Sequence, residues 1–228
     1  VISFMPGKIL RVFIGLCLLP LCFALSRSFC QVLVNSNASI SLALCLLGGI
    51  AFFVVCWFSL PHPVKTYVFG HELTHALWGI MFLAKPSKLR VSAKGGSVNL
   101  TRTNVLITLA PYFFPFYTFV VIVAALITGI FITPLPCIPV WLFFIGLTWA
   151  FHVLFTLETL SQRQPDITVY GRTFSWAFIF AVNVFLILLW LSSVTSTFGF
   201  AVSSVAGCTA DAYKWVYGAI VYLISLFC

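Results

Sequence analysis

The chain has 228 residues, 62% of them hydrophobic and only 7% charged, with a net charge of +8 and a mean hydropathy of +1.14. Soluble domains carry roughly a quarter charged residues, so this composition excludes one and indicates an all-α polytopic membrane protein. The length suffices for about six spans of ~20 residues with short connections, and residues 1–228 read as a single integral membrane domain.

Apolar runs occur at residues 9–25, 40–60, 64–84, 105–132, 140–160 and 174–194. Each is near the length that crosses ~30 Å of hydrocarbon as a helix, the first being at the short end. Lys8 and Arg11 stand at the start of the first run in the manner of a secretory signal, but no small-residue cleavage site follows, so it reads as a retained helix. The chain begins at Val1, which leaves open an alternative start codon or a missing N-terminal segment. Pro111 and Pro115 interrupt the fourth run and predict a kink there. A seventh stretch, 212–228, is short and carries Lys214; spanning, lying at the interface and packing on the bundle all remain open for it.

The polar segment 85–104 holds Lys85, Lys88, Arg90, Lys94 and Arg102. Placing it and the 161–172 loop in the cytoplasm, with Arg27, divides the cations eight to four against Lys8, Arg11, Lys65 and Lys214. The positive-inside rule favours that orientation, with the N-terminus outside. The expected location is a bacterial inner (plasma) membrane. Cations that flank spans are explained by topology and anionic headgroups, so nucleic acid is not an expected partner. Cys17, Cys22, Cys45 and Cys56 lie inside apolar runs, and no CxxC pair indicates a thiolate site.

Within the third run stands His71-Glu72-Leu73-Thr74-His75. Two histidines four apart lie on one helical face, so both rings can reach one metal ion. Glu72 lies about 100° around the helix from His71, close enough to act as a base toward water activated by that metal. Ionisable groups at membrane depth are costly and mark function by default. A catalytic zinc needs a third protein ligand and an open position. The candidates beyond the motif are His62, His152, Glu158, Asp166 and Asp211. Asp166 ranks first, because Pro165 breaks the helical run and can leave the carboxylate facing the bundle. The same aspartate could instead cap the following helix or pair with Arg163 or Arg172. On the expected orientation its loop lies at the C-terminal end of the histidine helix. His152 and Glu158, six residues apart, point to different faces and could orient a ligand or join helices. His62, between two prolines, reads as solvated.

These residues resemble the site-2-type intramembrane zinc metalloproteases. The resemblance rests on Gly70 to Ala76 (Gly-His-Glu-Leu-Thr-His-Ala), on the basic segment with Gly95-Gly96-Ser97-Val98, and on Leu106 to Pro111 opening the next span. It covers about residues 64–172. It implies one Zn²⁺ per chain held by His71, His75 and Asp166, with Glu72 as acid/base, and regulated intramembrane proteolysis of a transmembrane protein substrate in the lipid bilayer. Gln164-Pro165-Asp166-Ile167 departs from the family's asparagine and proline followed by Leu-Asp-Gly, which marks a divergent branch. Val91, Val98 and Leu100 alternate with polar residues around Gly95-Gly96, which suits a short β-like hairpin able to receive an extended substrate by strand addition; a plain polar loop fits equally. Two alternatives stand beside this reading: a CAAX-prenyl-type membrane metalloprotease with Glu158 as third ligand, and a non-catalytic metal-binding transporter or scaffold, although internal repeats are not evident.

Overall fold

The computed structural model describes residues 7–36 and 39–226. The described residues form nine helices and one two-stranded sheet. Four helices are long and apolar enough to cross a membrane: α1 (Lys8–Asn35), α2 (Ile40–Ser59), α6 (Ile138–Ser161) and α8 (Arg172–Val194). A fifth span arises if α4 (Val105–Phe113) and α5 (Phe116–Phe131), bent by 76° at their break, cross together. The predicted kink has a physical cause. Pro115 has no amide proton to continue α4 and forces Phe114 into extended backbone (φ −100°, ψ 104°). The third run becomes α3 (Val64–Met81), whose Lys65, His71, Glu72 and His75 lower its hydropathy below that of the other spans. The seventh stretch belongs to a longer helix, α9 (Phe198–Ser225), that begins well before residue 212; Phe227 and Cys228 lie outside the described residues.

The chain divides into two units. In the first, Ser39–Asp166, α2 and α6 run parallel: Phe53 packs on Phe151, Trp57 on Phe155, and His62 pairs with Glu158. Glycines make that contact possible. A methyl at Gly49 would overlap the Phe143 carbonyl oxygen, and one at Gly146 would overlap that of Leu46, so the backbones touch as small residues allow in membrane bundles. Gly146→Val should therefore separate the helices and cost on the order of 3 kcal/mol, read as a lower unfolding midpoint in detergent. Gly48→Val serves as the control, since only the Phe143 ring edge, 3.9 Å away, stands near that position.

Next, α3 turns back beside α6. Tyr67 stacks on Phe155 with ring centroids 4.6 Å apart, and its hydroxyl accepts from Thr159 at 3.0 Å. The segment after α6 thus lies at the N-terminal end of α3, whereas charge counting placed it at the C-terminal end. Charge counting sees only loops, while the parallel pairing of α2 and α6 is set by glycine and aromatic contacts.

The 85–104 segment folds as an antiparallel hairpin, β1 (Pro86–Ser92) and β2 (Gly95–Leu100). It returns along α3: Leu100 packs at Gly79, and Gly96 fits against Val68 and Glu72. Of the two sequence readings of this segment, the hairpin is the one realised.

In the second unit, residues 7–36 and 167–226, α1 runs parallel to α8 and antiparallel to α9. Arg11 donates to the Val169 carbonyl of the short helix α7 (Pro165–Tyr170), Gly15 abuts Phe174, and Cys22 donates to Ala177. Tyr213 donates to the Cys17 carbonyl and Ser204 to Gln31. Lys8 and Arg11 consequently sit at the end of this unit where α8 begins with Arg172. Charge counting had separated them across the membrane.

Candidate metal centre

The two motif histidines project from one face of α3, and their rings meet edge to face with centroids 4.9 Å apart. Asp166 is the second residue of α7, placed there because Pro165 starts a new helix after α6 ends at Ser161. Its Oδ2 lies 3.6 Å from His71 Nε2 and 3.4 Å from His75 Nε2. Among the described residues, His71, His75 and Asp166 form the one cluster of ligand-type side chains, with ligand atoms all within 4.8 Å of one another. Metal–ligand bonds of ~2.0–2.1 Å at tetrahedral angles leave ligand atoms about 3.4 Å apart, so the observed spacing fits a zinc ion with little movement.

Each candidate ligand has an outer hydrogen-bonding partner, the arrangement that usually orients metal-binding side chains. His75 Nδ1 donates to the Ile107 carbonyl at 2.9 Å, which fixes the ring with its Nε2 toward Asp166. His71 Nδ1 lies 3.3 Å from the Tyr67 hydroxyl. Asp166 Oδ2 accepts from the Tyr112 hydroxyl at 3.2 Å. The Asn104 side chain accepts from Ile107 N–H at 2.8 Å and so caps α4, starting that helix where its first turn can meet His75. Burial pushes the Asp166 carboxyl up, but its contacts with His71 and His75 outweigh this and hold it below the usual carboxylate range.

Glu72 lines the same cavity as the three ligands, a space of about 710 Å³ bounded by α3, the hairpin, α4 and the end of α6. Strand β2 seats directly on it. The Val98 amide faces its carboxylate, and a methyl at Gly96 would come within 2.6 Å of Glu72 Cγ. Gly96 is thus required by close approach to Glu72 and Val68.

The other sequence candidates fall elsewhere. Glu158 lines the cavity wall, and its Oε2 lies 3.8 Å from His62 Nδ1. His62, expected to be solvated, is exposed; its ring stacks on Trp57 at 3.8 Å and its Nε2 lies 3.1 Å from the Trp57 carbonyl oxygen. His152 is buried beside a small cavity of about 20 Å³ that also touches His71, Tyr67 and Thr74, and its Nε2 has no hydrogen-bond partner among the described residues. Asp211 is on α9. Sequence reasoning missed Tyr67, Tyr112, Thr159 and the Ile107 carbonyl. Tyr67 carried a usable signal, since it precedes His71 by four residues and shares its face. Tyr112 stood among several aromatic residues with nothing to single it out. Compared with family models, curated proteins and solved structures, the chain matches none.

Proposed function

We propose that this chain is an intramembrane zinc metalloendopeptidase, a divergent relative of the site-2-type proteases, hydrolysing peptide bonds of membrane-embedded or membrane-associated proteins. The observation that carries the reading is the convergence of His71, His75 and Asp166 on one point, with Glu72 on the same cavity wall, inside a chain of membrane helices. Two imidazoles and a carboxylate are a donor set that suits zinc and leaves one position open. Held there, zinc supplies Lewis acidity, which lowers the pKa of a water toward ~7 and polarises a peptide carbonyl.

The chain's own residues supply the rest. Glu72 takes the proton from the attacking water and delivers it to the leaving amine, the exchange a single general acid/base performs in peptide hydrolysis. The Val98 amide and the bare backbone of Gly96 hold that carboxylate in place from the hairpin side. His75 and Asp166, oriented by Ile107 and Tyr112, keep the metal-binding atoms fixed before substrate arrives, so little reorganisation remains for the reaction. An α-helix is about 10 Å wide with its amides already hydrogen-bonded, so the cavity suits a short extended segment and the substrate must unwind to enter. A prenyl-type reading with Glu158 as third ligand loses support, because that carboxylate is turned to His62.

The orientation we propose follows from the second unit. Lys8, Arg11 and Arg172 share one end of it against Arg27 nearer the other, and the positive-inside rule then puts the 161–172 loop and the start of α1 in the cytoplasm. The tip of the 85–104 hairpin lines the cavity with Gln162 and Gln164.

The test is cleavage of a model transmembrane substrate by the detergent-purified protein, with products identified by mass spectrometry. Stripping with a chelator should abolish cleavage and added zinc should restore it. Cleavage that persists in the metal-free protein would overturn the proposal.

A further inference from the structure

We infer that Tyr112 is the positioning residue that makes Asp166 a one-oxygen ligand and thereby keeps a coordination position open for water. The inference rests on the metal centre proposed above and concerns a residue with no place in the sequence motif.

Tyr112 is fully buried, with no exposed surface, and a buried phenol needs a partner for its hydroxyl. The partner is Asp166 Oδ2 at 3.2 Å. Its ring meets the His71 ring edge to face, 5.3 Å apart at 88°, so the phenol is wedged between the first and third ligands. The oxygen that accepts from Tyr112 is the one that faces both histidines, at 3.4 and 3.6 Å. A carboxylate oxygen has two acceptor directions. On Oδ2 one is aimed at the shared focus of the histidines and the other is taken by the phenol. The hydrogen bond holds Oδ2 inward, and by the inference this keeps the carboxylate from turning Oδ1 toward the metal as well. Were Oδ1 to swing in, the aspartate would bind through both oxygens and occupy the site where water must sit for hydrolysis.

The kinked span explains how a tyrosine comes to be there. Helix α4 stops at Phe113 before turning by 76°, so its last turn stays beside α3 and the metal centre, with Ile107 at one end on His75 and Tyr112 at the other on Asp166.

The experiment compares wild type, Tyr112→Phe and Tyr117→Phe, using zinc and cobalt(II) as probes. Tyr117 is the control for losing a phenol hydroxyl, because its hydroxyl donates to the Thr66 carbonyl rather than to Asp166. Chelator competition should give zinc binding weaker by about 10–100-fold in Tyr112→Phe, with shifted cobalt absorption bands and an unchanged far-ultraviolet circular dichroism spectrum; Tyr117→Phe should match wild type. X-ray absorption of zinc-loaded wild type should show a single short carboxylate oxygen. Wild-type affinity and cobalt spectrum in Tyr112→Phe, or two carboxylate oxygens at bonding distance in wild type, would overturn the inference while leaving the protease reading intact. A wild-type protein that takes up no metal would overturn both.

Discussion

Asp166→Asn is expected to leave the protein folded in the membrane and strip it of zinc, with affinity falling by more than about 100-fold, beyond what loss of an outer partner costs. The asparagine keeps the shape of the side chain and can still accept from the Tyr112 hydroxyl at the position Oδ2 now occupies. What it loses is the negative charge. The two neutral imidazoles then face the cation without the anion that lies 3.4 Å and 3.6 Å from their Nε2 atoms, in a setting where water screens little. Glu158→Gln should retain zinc, because its carboxylate contacts His62. Metal content of the two variants, measured by mass spectrometry after gel filtration, separates them directly. Full zinc in Asp166→Asn and none in Glu158→Gln would move the third ligand to α6.

Glu72→Gln is expected to do the reverse. Zinc should stay, and cleavage should fall by about 10³-fold, within the range that removal of a general acid/base produces. Glutamine matches glutamate in size, which matters because β2 leaves no slack around this side chain, and its amide oxygen can still face the Val98 amide. It cannot take a proton. The substitution therefore tests the base alone, with the hairpin still seated. Single-turnover cleavage at saturating substrate reads the step itself, and cleavage at the wild-type rate would assign the base elsewhere.

Much of the centre was legible in the sequence because helical periodicity is local physics. Two histidines four apart must share a face, and a proline four residues past the end of α6 redirects the chain; these two facts single out His71, His75 and Asp166 as candidates without any knowledge of packing. The kink at Pro115 was legible for the same reason. The relative direction of the helices was not. Whether α2 and α6 run parallel depends on Gly49 and Gly146 meeting each other's neighbours, and nothing in the local pattern of either segment names the other. Counting cations failed on Lys8 and Arg11 for that reason. The hairpin was ambiguous because its alternation is weak and β1 is exposed along its whole length; its stability comes from contact with α3, with Leu100 at Gly79 and Gly96 at Glu72. Tyr112 was invisible because its role is set by a contact fifty-four residues away in sequence.

The central claim is that His71, His75 and Asp166 hold one metal ion, and the most direct measurement is the zinc content of the purified wild-type protein beside His75→Ala. The account predicts about one zinc per chain in wild type, removable by chelator, and essentially none in the variant. Wild-type protein that stays metal-free after incubation with zinc, or a variant that binds as much as wild type, would contradict it.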